Sequence, residues 1–387
     1  MVFLRSPDNM FNQQHSNAQA IDTNFEPLLN RLLNEDRLGV GWGVIEVDSI
    51  FSSCGNMQGD CFKLLIPYAG ATLTWNVLFD SQYPELGPDF IFGDETFLKD
   101  PDIESLSTNV PALAKWDCKN DSALLRVIIE LLSYYKQHQV KLLGREGIGE
   151  RLYLEYSMLI NEKKICPADI EVILLPEGIK PVEARFSIRL DIDFSRLPNR
   201  TNRSLNDAAM LIVKFCGQEW SCIMPNLYLS KSLEKTFHGA TSLHIPPFYP
   251  NSYLTAYIPA VKKLIVDKIN AIFQSFESRK SFVSTLLALQ RDCIIEYDAC
   301  EFYAITLLLE NRDFYFLVHF VLQPTFPKDK PQITLQSVYH MTAAGNLYKY
   351  EVDNYEYDSK WNPRLMISKM LTHIIDNEVL KFKENSA

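Results

Sequence analysis

One pattern constrains this chain more than any other: an aromatic-Pro-x-x-x-Pro signature that occurs twice, each time ahead of alternating apolar residues. Tyr83-Pro84-Glu85-Leu86-Gly87-Pro88 leads into Asp89-Phe90-Ile91-Phe92, and Phe326-Pro327-Lys328-Asp329-Lys330-Pro331 leads into Gln332-Ile333-Thr334-Leu335. The offset, from 83 to 326, is 243 residues; a second pair of landmarks, Trp116 and Trp361, each ahead of a helical stripe, is offset by 245. Two independent landmarks in near-equal register imply an internal duplication. In each copy the prolines fix backbone angles between one strand and the next. A chain of 387 residues has room for two or three domains.

The periodicity around both landmarks has the same order. In the first copy a helix carries Leu28, Leu29, Leu32 and Leu33 on one face, with Pro27 in its first turn. Strands are predicted at Val44–Val47, Cys61–Pro67 and Thr72–Asp80, then the proline turn, a short strand and a loop over Asp94–Asn120. A helix follows with Leu124, Leu125, Ile128, Ile129, Leu132 and Tyr135 on one stripe, for which Asp121 or Ser122 is a suitable cap. In the last copy a helix with Phe282, Val283, Leu286, Leu287 and Leu289 precedes strands at Cys293–Tyr297, Phe302–Glu310 and Phe314–Leu322. Between them lie strand-like runs at Ile170–Leu175, Ala184–Phe194, Ala209–Phe215 and Ser221–Tyr228. A closing helix then places Ile258, Val261, Ile265, Ile269, Ile272 and Phe276 three and four apart. This middle stretch reads as a degenerate third copy that has lost the proline turn. The class is therefore α+β, with antiparallel meander sheets and flanking helices. The expected domains are a flexible polar N-terminus over 1–20 and three copies over 21–150, 165–278 and 280–384. Gly39, Gly41 and Gly43 precede a strand rather than joining strand to helix, so they read as a turn and not as a phosphate loop. The stretch 198–206 reads as a solvated loop.

Composition narrows the chemistry. The net charge of −10 is the wrong sign for a protein that binds by neutralising phosphates, so neither direct nucleic-acid nor membrane binding is expected. Eight cysteines form no C-x-x-C pair, and seven histidines form no H-x-E or H-x-x-x-H pair, so neither zinc-knuckle nor metalloprotease spacing is present. His319, inside the apolar run Phe316–Phe320, reads as a hydrogen-bonded strand residue. Cys118, between Lys115 and Lys119 and ahead of a helix, is the one cysteine whose surroundings resemble those of an activated thiol. No apolar secretory segment or membrane span is visible, and the unpaired cysteines suit a reducing compartment, cytoplasmic or nuclear.

A three-strand meander, an aromatic-Pro-x-x-x-Pro turn, then Tyr339-His340 and Trp361-Asn362-Pro363 resemble the ubiquitin-conjugating (E2) fold. Those last residues stand where E2 proteins have Tyr-His-Pro-Asn and Trp-Ser-Pro. The resemblance breaks at the chemistry. E2 catalysis needs a thiolate to carry ubiquitin and an Asn to stabilise the oxyanion. Met341 and Thr342 replace the Pro-Asn pair, the count from Gly345 to the nucleophile's place reaches Tyr348, and Phe92–Ser107 of the first copy holds no cysteine. A phenol with pKa ~10 is a poor acyl carrier at neutral pH. The copies thus resemble E2-variant (UEV) domains. Over about residues 40–380 the chain resembles the BRE (brain and reproductive organ-expressed) family, through Ile66-Pro67-Tyr68-Ala69-Gly70, Tyr83–Gly93, Leu243-His244-Ile245-Pro246 and Gln336-Ser337-Val338-Tyr339-His340.

That resemblance implies a non-catalytic scaffold in assemblies of the BRISC and Abraxas type, which cleave lysine-63-linked ubiquitin chains. The implied partners are a JAMM/MPN deubiquitinase subunit, an Abraxas-type MPN pseudoenzyme subunit, a von Willebrand A-like adaptor subunit and polyubiquitin, with serine hydroxymethyltransferase and death receptors beyond the core assembly. It implies no cofactor here, zinc belonging to the partner protease. It also implies roles in DNA-damage and cytokine or apoptosis signalling, in cytoplasm and nucleus. The alternative readings are a UEV cofactor of an E2 in ubiquitin-chain synthesis, and a true E2 with a displaced cysteine. Tyr83, Pro84, Pro88, His340, Tyr348 and Trp361 are the candidate partner-binding residues, Tyr348 and Trp361 lining a groove for an adaptor tail. The tyrosine-rich acidic stretch Tyr348–Asp358 reads either as a solvated loop or as a recognition loop.

Overall fold

The structure is a computed structural model that describes residues 20–35, 37–41, 43–52, 58–99, 103–145, 150–177, 180–198, 207–237, 239, 243–342 and 344–386. Of the N-terminus expected to be flexible over 1–20, residues 1–19 lie outside the described residues, as does most of the expected 198–206 loop; Ala20 is in a strand. The chain divides into two compact units. Unit 1 is Met1–Asp191, Ala208–Glu234 and Ala240–Val261; unit 2 is Ile192–Asp207, Lys235–Gly239 and Lys262–Ala387.

Unit 1 opens with β1 (Ala20–Ile21), which pairs in parallel with β3 (Gln58–Gly59), and with α1 (Glu26–Leu33). An antiparallel sheet then runs in the order β2 (Glu46–Phe51), β4 (Cys61–Tyr68), β5 (Ala71–Leu78) and β6 (Asp89–Phe92). The period-2 pattern decides its inner face: Phe62, Leu64 and Ile66 on β4 and Leu73, Trp75 and Val77 on β5 are buried. Ala69 (φ 47°) and Gly70 (φ 71°) make the two-residue turn between β4 and β5, both in the left-handed region that such a turn demands. The loop expected over Asp94–Asn120 contains α2 (Ile103–Asn109) and α3 (Pro111–Ala114). Beyond it, α4 (Ala123–Leu143) buries Leu124, Val127, Ile128 and Leu131 in one core with α1 and the sheet. Ser122 is at the N-cap of α4 but makes no cap bond; its hydroxyl donates to Asp121 (3.0 Å) instead. The cap expected there is absent.

After α5 (Glu150–Asn161), which no sequence stripe announced, a second antiparallel sheet is built from β7 (Ile170–Glu177), β8 (Lys180–Leu190), β9 (Ala209–Cys216) and β10 (Cys222–Leu229), ordered β10-β9-β8-β7. It is tied to the first by buried polar groups. Tyr68 donates its hydroxyl to the Val172 carbonyl (3.3 Å). Gln139 donates to Asp94 (3.1 Å) and accepts the Leu174 amide (3.0 Å). The Glu171 carboxylate accepts the amides of Val40 (2.8 Å) and Ala69 (3.0 Å). Then come α6 (Lys231–Thr236) and α7 (Leu254–Leu289). The stripes read as two helices, 258–276 and 282–289, lie on the single helix α7.

Unit 2 holds a five-stranded meander in chain order: β11 (Ile294–Tyr297), β12 (Ala304–Asn311), β13 (Phe314–Val321), β14 (Gln332–Met341) and β15 (Leu347–Val352). Phe282, Val283 and Leu286 of α7 pack in its core with Leu307, Phe316, Val318 and Leu335. The C-terminal α8 (Pro363–His373) and α9 (Val379–Ser386), joined by a π turn over Ile374–Glu378, add Met366, Ile367, Met370 and Phe382. β12 and β13 are joined by Arg312 and Asp313, again both left-handed (φ 52° and 63°). The starts of β4 and β12, of β5 and β13, and of β6 and β14 are each 243 residues apart (61 and 304, 71 and 314, 89 and 332), the offset of the proline signatures.

Candidate partner-binding surfaces

The two proline turns share a sequence signature and differ in backbone and in what they expose. In the first, Tyr83 donates its amide to the Asp80 carbonyl (3.1 Å) and Leu86 donates to Tyr83 (3.0 Å). This brings Tyr83 (54%), Leu86 (57%) and Ile91 (54%) to the surface, while Pro84 is half-buried and Pro88 buried. Pro88 therefore shapes the turn from beneath. Gly87 sits close against α3 and Trp116: a Cβ there would lie 3.3 Å from Leu113 Cδ1 and 3.5 Å from Trp116 Cγ. In the second turn the matching aromatic points inward: Phe326 is 1% exposed and packs edge-on against Phe282 (5.6 Å between centroids). The Phe326–Pro327 peptide is cis.

The stretch Tyr348–Asp358, expected as a loop, is a loop only over 353–358. Its first part is β15, paired with β14 from Ile333–Val352 to Met341–Leu347. The rest is strapped to the proline turn: Tyr357 donates its hydroxyl to the Pro327 carbonyl (2.5 Å), Tyr355 donates to Pro331, and Lys330 reaches the Asp353 carbonyl and the face of Tyr355 (4.9 Å). Burial, helped by the charges of Asp329 and Asp358, pushes the Tyr357 phenol up to about 12, so it stays a donor. Tyr348 stacks on Phe382 of α9 at 5.5 Å. His340 Nδ1 lies 3.2 Å from the Ser337 hydroxyl, and its ring lies 6.5 Å from Phe314. Trp361 is half-buried, its amide donating to Asp358 (3.1 Å) and Lys369 Nζ lying 6.0 Å from its ring. His340 and Tyr348 thus border one aromatic cluster around Phe314 and Phe382, which are 6.0 Å apart. Trp361, like Tyr348, packs against the hydrophobic core to which Phe314 and Phe382 belong.

Two surfaces escaped the sequence reading. One is a groove of about 610 Å³ between α7 (Lys268, Phe273, Ser278) and the second proline turn (Pro324, Pro327, Lys328); neither Tyr348 nor Trp361 lines it. The other is the exposed end of β14, where Tyr339 (58%) and Met341 (68%) face outward beside Tyr315 of β13. Alternation along Gln332–Met341 would put Tyr339 and Met341 on the face of buried Ile333, Leu335 and Ser337; a register shift between Gln336 and Met341 breaks the alternation there, and nothing in the sequence signals it. His319 is the strand histidine expected, with Nδ1 3.0 Å from the Thr306 hydroxyl. Cys118 is partly buried.

The family model described as "Brain and reproductive organ-expressed protein (BRE)" matches residues 19–341. The chain belongs to the BRE family. A Danio rerio protein named "BRISC and BRCA1-A complex member 2" is 34% identical over 362 residues, 90% of this chain and 91% of its own length. A Branchiostoma floridae protein of the same name is 33% identical over 377 residues, 93% and 96% of the two chains. In this BRE-family chain Tyr83, Pro84, Pro88 and His340 fall inside the family match, whose last residue closes β14, and Tyr348 and Trp361 follow it. Among the described residues no helix is long and apolar enough to cross a membrane.

Proposed function

We propose that this chain is a non-catalytic scaffold subunit of a lysine-63-specific deubiquitinase assembly of the BRISC and BRCA1-A kind. The observation that carries the reading is similarity along nine-tenths of the chain to two proteins named as members of those complexes. In this reading the copies over 21–150, 165–278 and 280–384 are UEV-like domains, and the chain joins a JAMM/MPN catalytic pair to a von Willebrand A-like adaptor, in cytoplasm and nucleus. The equal strand spacing of the first and last copies supports a duplicated module. Exposed apolar side chains at Tyr83, Leu86 and Ile91, and at Tyr339 and Met341, supply surface for docking. Tyr348, at the position where an E2 carries its nucleophile, packs on Phe382, a structural use of that position. Its mechanism is geometric: separate docking surfaces on one chain raise the effective concentration of each partner for the others. The test is affinity capture of the tagged full chain with mass spectrometry. Recovery of a JAMM-type protease with an Abraxas-type subunit is expected; recovery of neither refutes the assignment. Tyr83→Ala with Leu86→Asp, and separately Tyr339→Ala with Met341→Asp, should each deplete a different partner.

A further inference from the structure

On the second sheet two cysteines face each other. β9 ends at Cys216 and β10 begins at Cys222, and the two are register partners across the antiparallel pair. Directly opposed residues put their side chains on one face, with Cα atoms about 4.5 or 5.5 Å apart according to the pair's hydrogen bonding. Both spacings lie within the roughly 4.4–6.8 Å that a disulfide spans. The Cys216 thiol already leans across, its sulfur 3.6 Å from the Cys222 carbonyl oxygen. No other two cysteines share a register among the described strands.

The turn between them is a short 3-10 turn over Gln218–Trp220, in which the Trp220 amide donates to Gly217 (3.3 Å) and the Ser221 amide to Gln218 (3.2 Å). Gly217 (φ 77°), Glu219 (φ 52°) and Trp220 (φ 58°) are left-handed, and the Trp220 side chain is buried, which fixes where the two strand ends sit. Cys216 is half-buried and Cys222 exposed. Lys214, two residues along β9 from Cys216, is on the same face; Arg185 lies opposite Lys214, and Glu183 opposite Cys216. Burial, with Cys222 and Glu183 beside it, raises the Cys216 thiol above its ordinary value against the pull of Lys214. Two thiols alone do not complete a metal shell, and among the described residues no three His, Cys, Asp or Glu side chains cluster to hold one.

The geometry points to Cys216 and Cys222 as a reversible dithiol–disulfide pair that exchanges with a low-molecular-weight disulfide of the glutathione type. The exposed Cys222 thiolate attacks one sulfur of glutathione disulfide; that S–S bond breaks, one glutathione thiolate leaves and takes up a proton, and a mixed disulfide remains on Cys222. Cys216 then loses its proton and attacks the Cys222 sulfur, displacing the second glutathione. Two protein thiols are oxidised and one glutathione disulfide is reduced to two glutathione thiols. The product closes the mouth of the β9–β10 hairpin, and excess glutathione reverses it.

The test uses the purified full chain equilibrated with glutathione at a series of reduced-to-oxidised ratios, alkylated and digested with trypsin. Cleavage after Lys214 and Lys231 leaves both cysteines in one peptide. Under oxidising ratios that peptide should lose two hydrogens and its capacity for alkylation, and regain both on reduction. Cys216→Ser should stop at a glutathione adduct on Cys222, and Cys222→Ser should leave Cys216 largely unmodified. The proposal is overturned if both thiols stay alkylatable at ratios where exposed Cys300 carries glutathione. It is also overturned if each cysteine carries its own glutathione, or if the pair appears only as a link between two chains.

Discussion

Glu171 offers the sharpest test of how unit 1 is held together. It is 5% exposed on β7 and accepts two amides from far along the chain, Val40 at 2.8 Å and Ala69 at 3.0 Å. Each is a buried bond to a charged acceptor, worth ~1.5–3 kcal/mol, so Glu171→Ala should cost ~3–6 kcal/mol in all. Locally, each freed amide should exchange about 10- to 160-fold faster with deuterium, since every 1.36 kcal/mol is a factor of ten. Hydrogen exchange read on peptides covering 37–41 and 66–72 measures this directly. Glu171→Gln keeps one acceptor oxygen and should give a smaller effect. Gly39→Ala should mimic part of the loss, because its Cβ would sit 2.1 Å from Glu171 Oε1. Acidity adds a second reading. Burial outweighs the two amides and the nearby Lys136 and Arg37 and raises the Glu171 carboxyl above its ordinary value. The native state then binds the proton more tightly than the unfolded chain. Relative to Glu171→Gln, wild type should therefore be most stable below the ordinary value of about 4.3 and lose that advantage as pH rises through the raised native value. Unchanged exchange at both peptides in Glu171→Ala would refute the reasoning.

In unit 2, Arg279 is 2% exposed, donates to the Glu301 (3.0 Å) and Pro324 (3.4 Å) carbonyls and lies over the Tyr303 ring at 4.2 Å; Arg279→Ala should cost ~2–5 kcal/mol in denaturant unfolding. Asn362 caps α8 through the Leu365 amide (2.8 Å), so Asn362→Ala should cost ~1 kcal/mol and Asn362→Asp little, read as shifts in Tm. Burial lowers the His319 imidazole, so the unfolded chain binds its proton more readily; wild type should lose stability relative to His319→Gln as pH falls below about 6.5, and a flat difference would count against it.

What the sequence made legible was whatever depends on neighbours in the chain. Alternation through Leu64, Ile66, Trp75 and Val77 marked strands, and Leu124, Ile128 and Leu132 marked a helix, because one face of each element meets a core. The strand β15 was hidden because Tyr348, Tyr350 and Val352 alternate with charged Lys349 and Glu351 inside a longer acidic run that looks solvated. Glu171 and Gln139 gave no signal, since their partners are 131, 102 and 35 residues away. Of the candidate contact residues, a shared signature concealed opposite orientations: Tyr83 faces out where Phe326 faces in, a difference that only the packing of Phe282 explains.

Three successive strand starts share a common spacing of 243 residues, which fixes the dimensions of everything between them. Cys61 to Phe92 and Ala304 to Leu335 are equal in length, whereas the tryptophan landmarks beyond are offset by 245. The two stretches are cassettes of equal dimensions that differ in the residues they turn to solvent, Tyr83 outward and Phe326 inward. A chimera carrying one cassette in the other's place would inherit every strand and turn length while exchanging the chemistry shown to solvent.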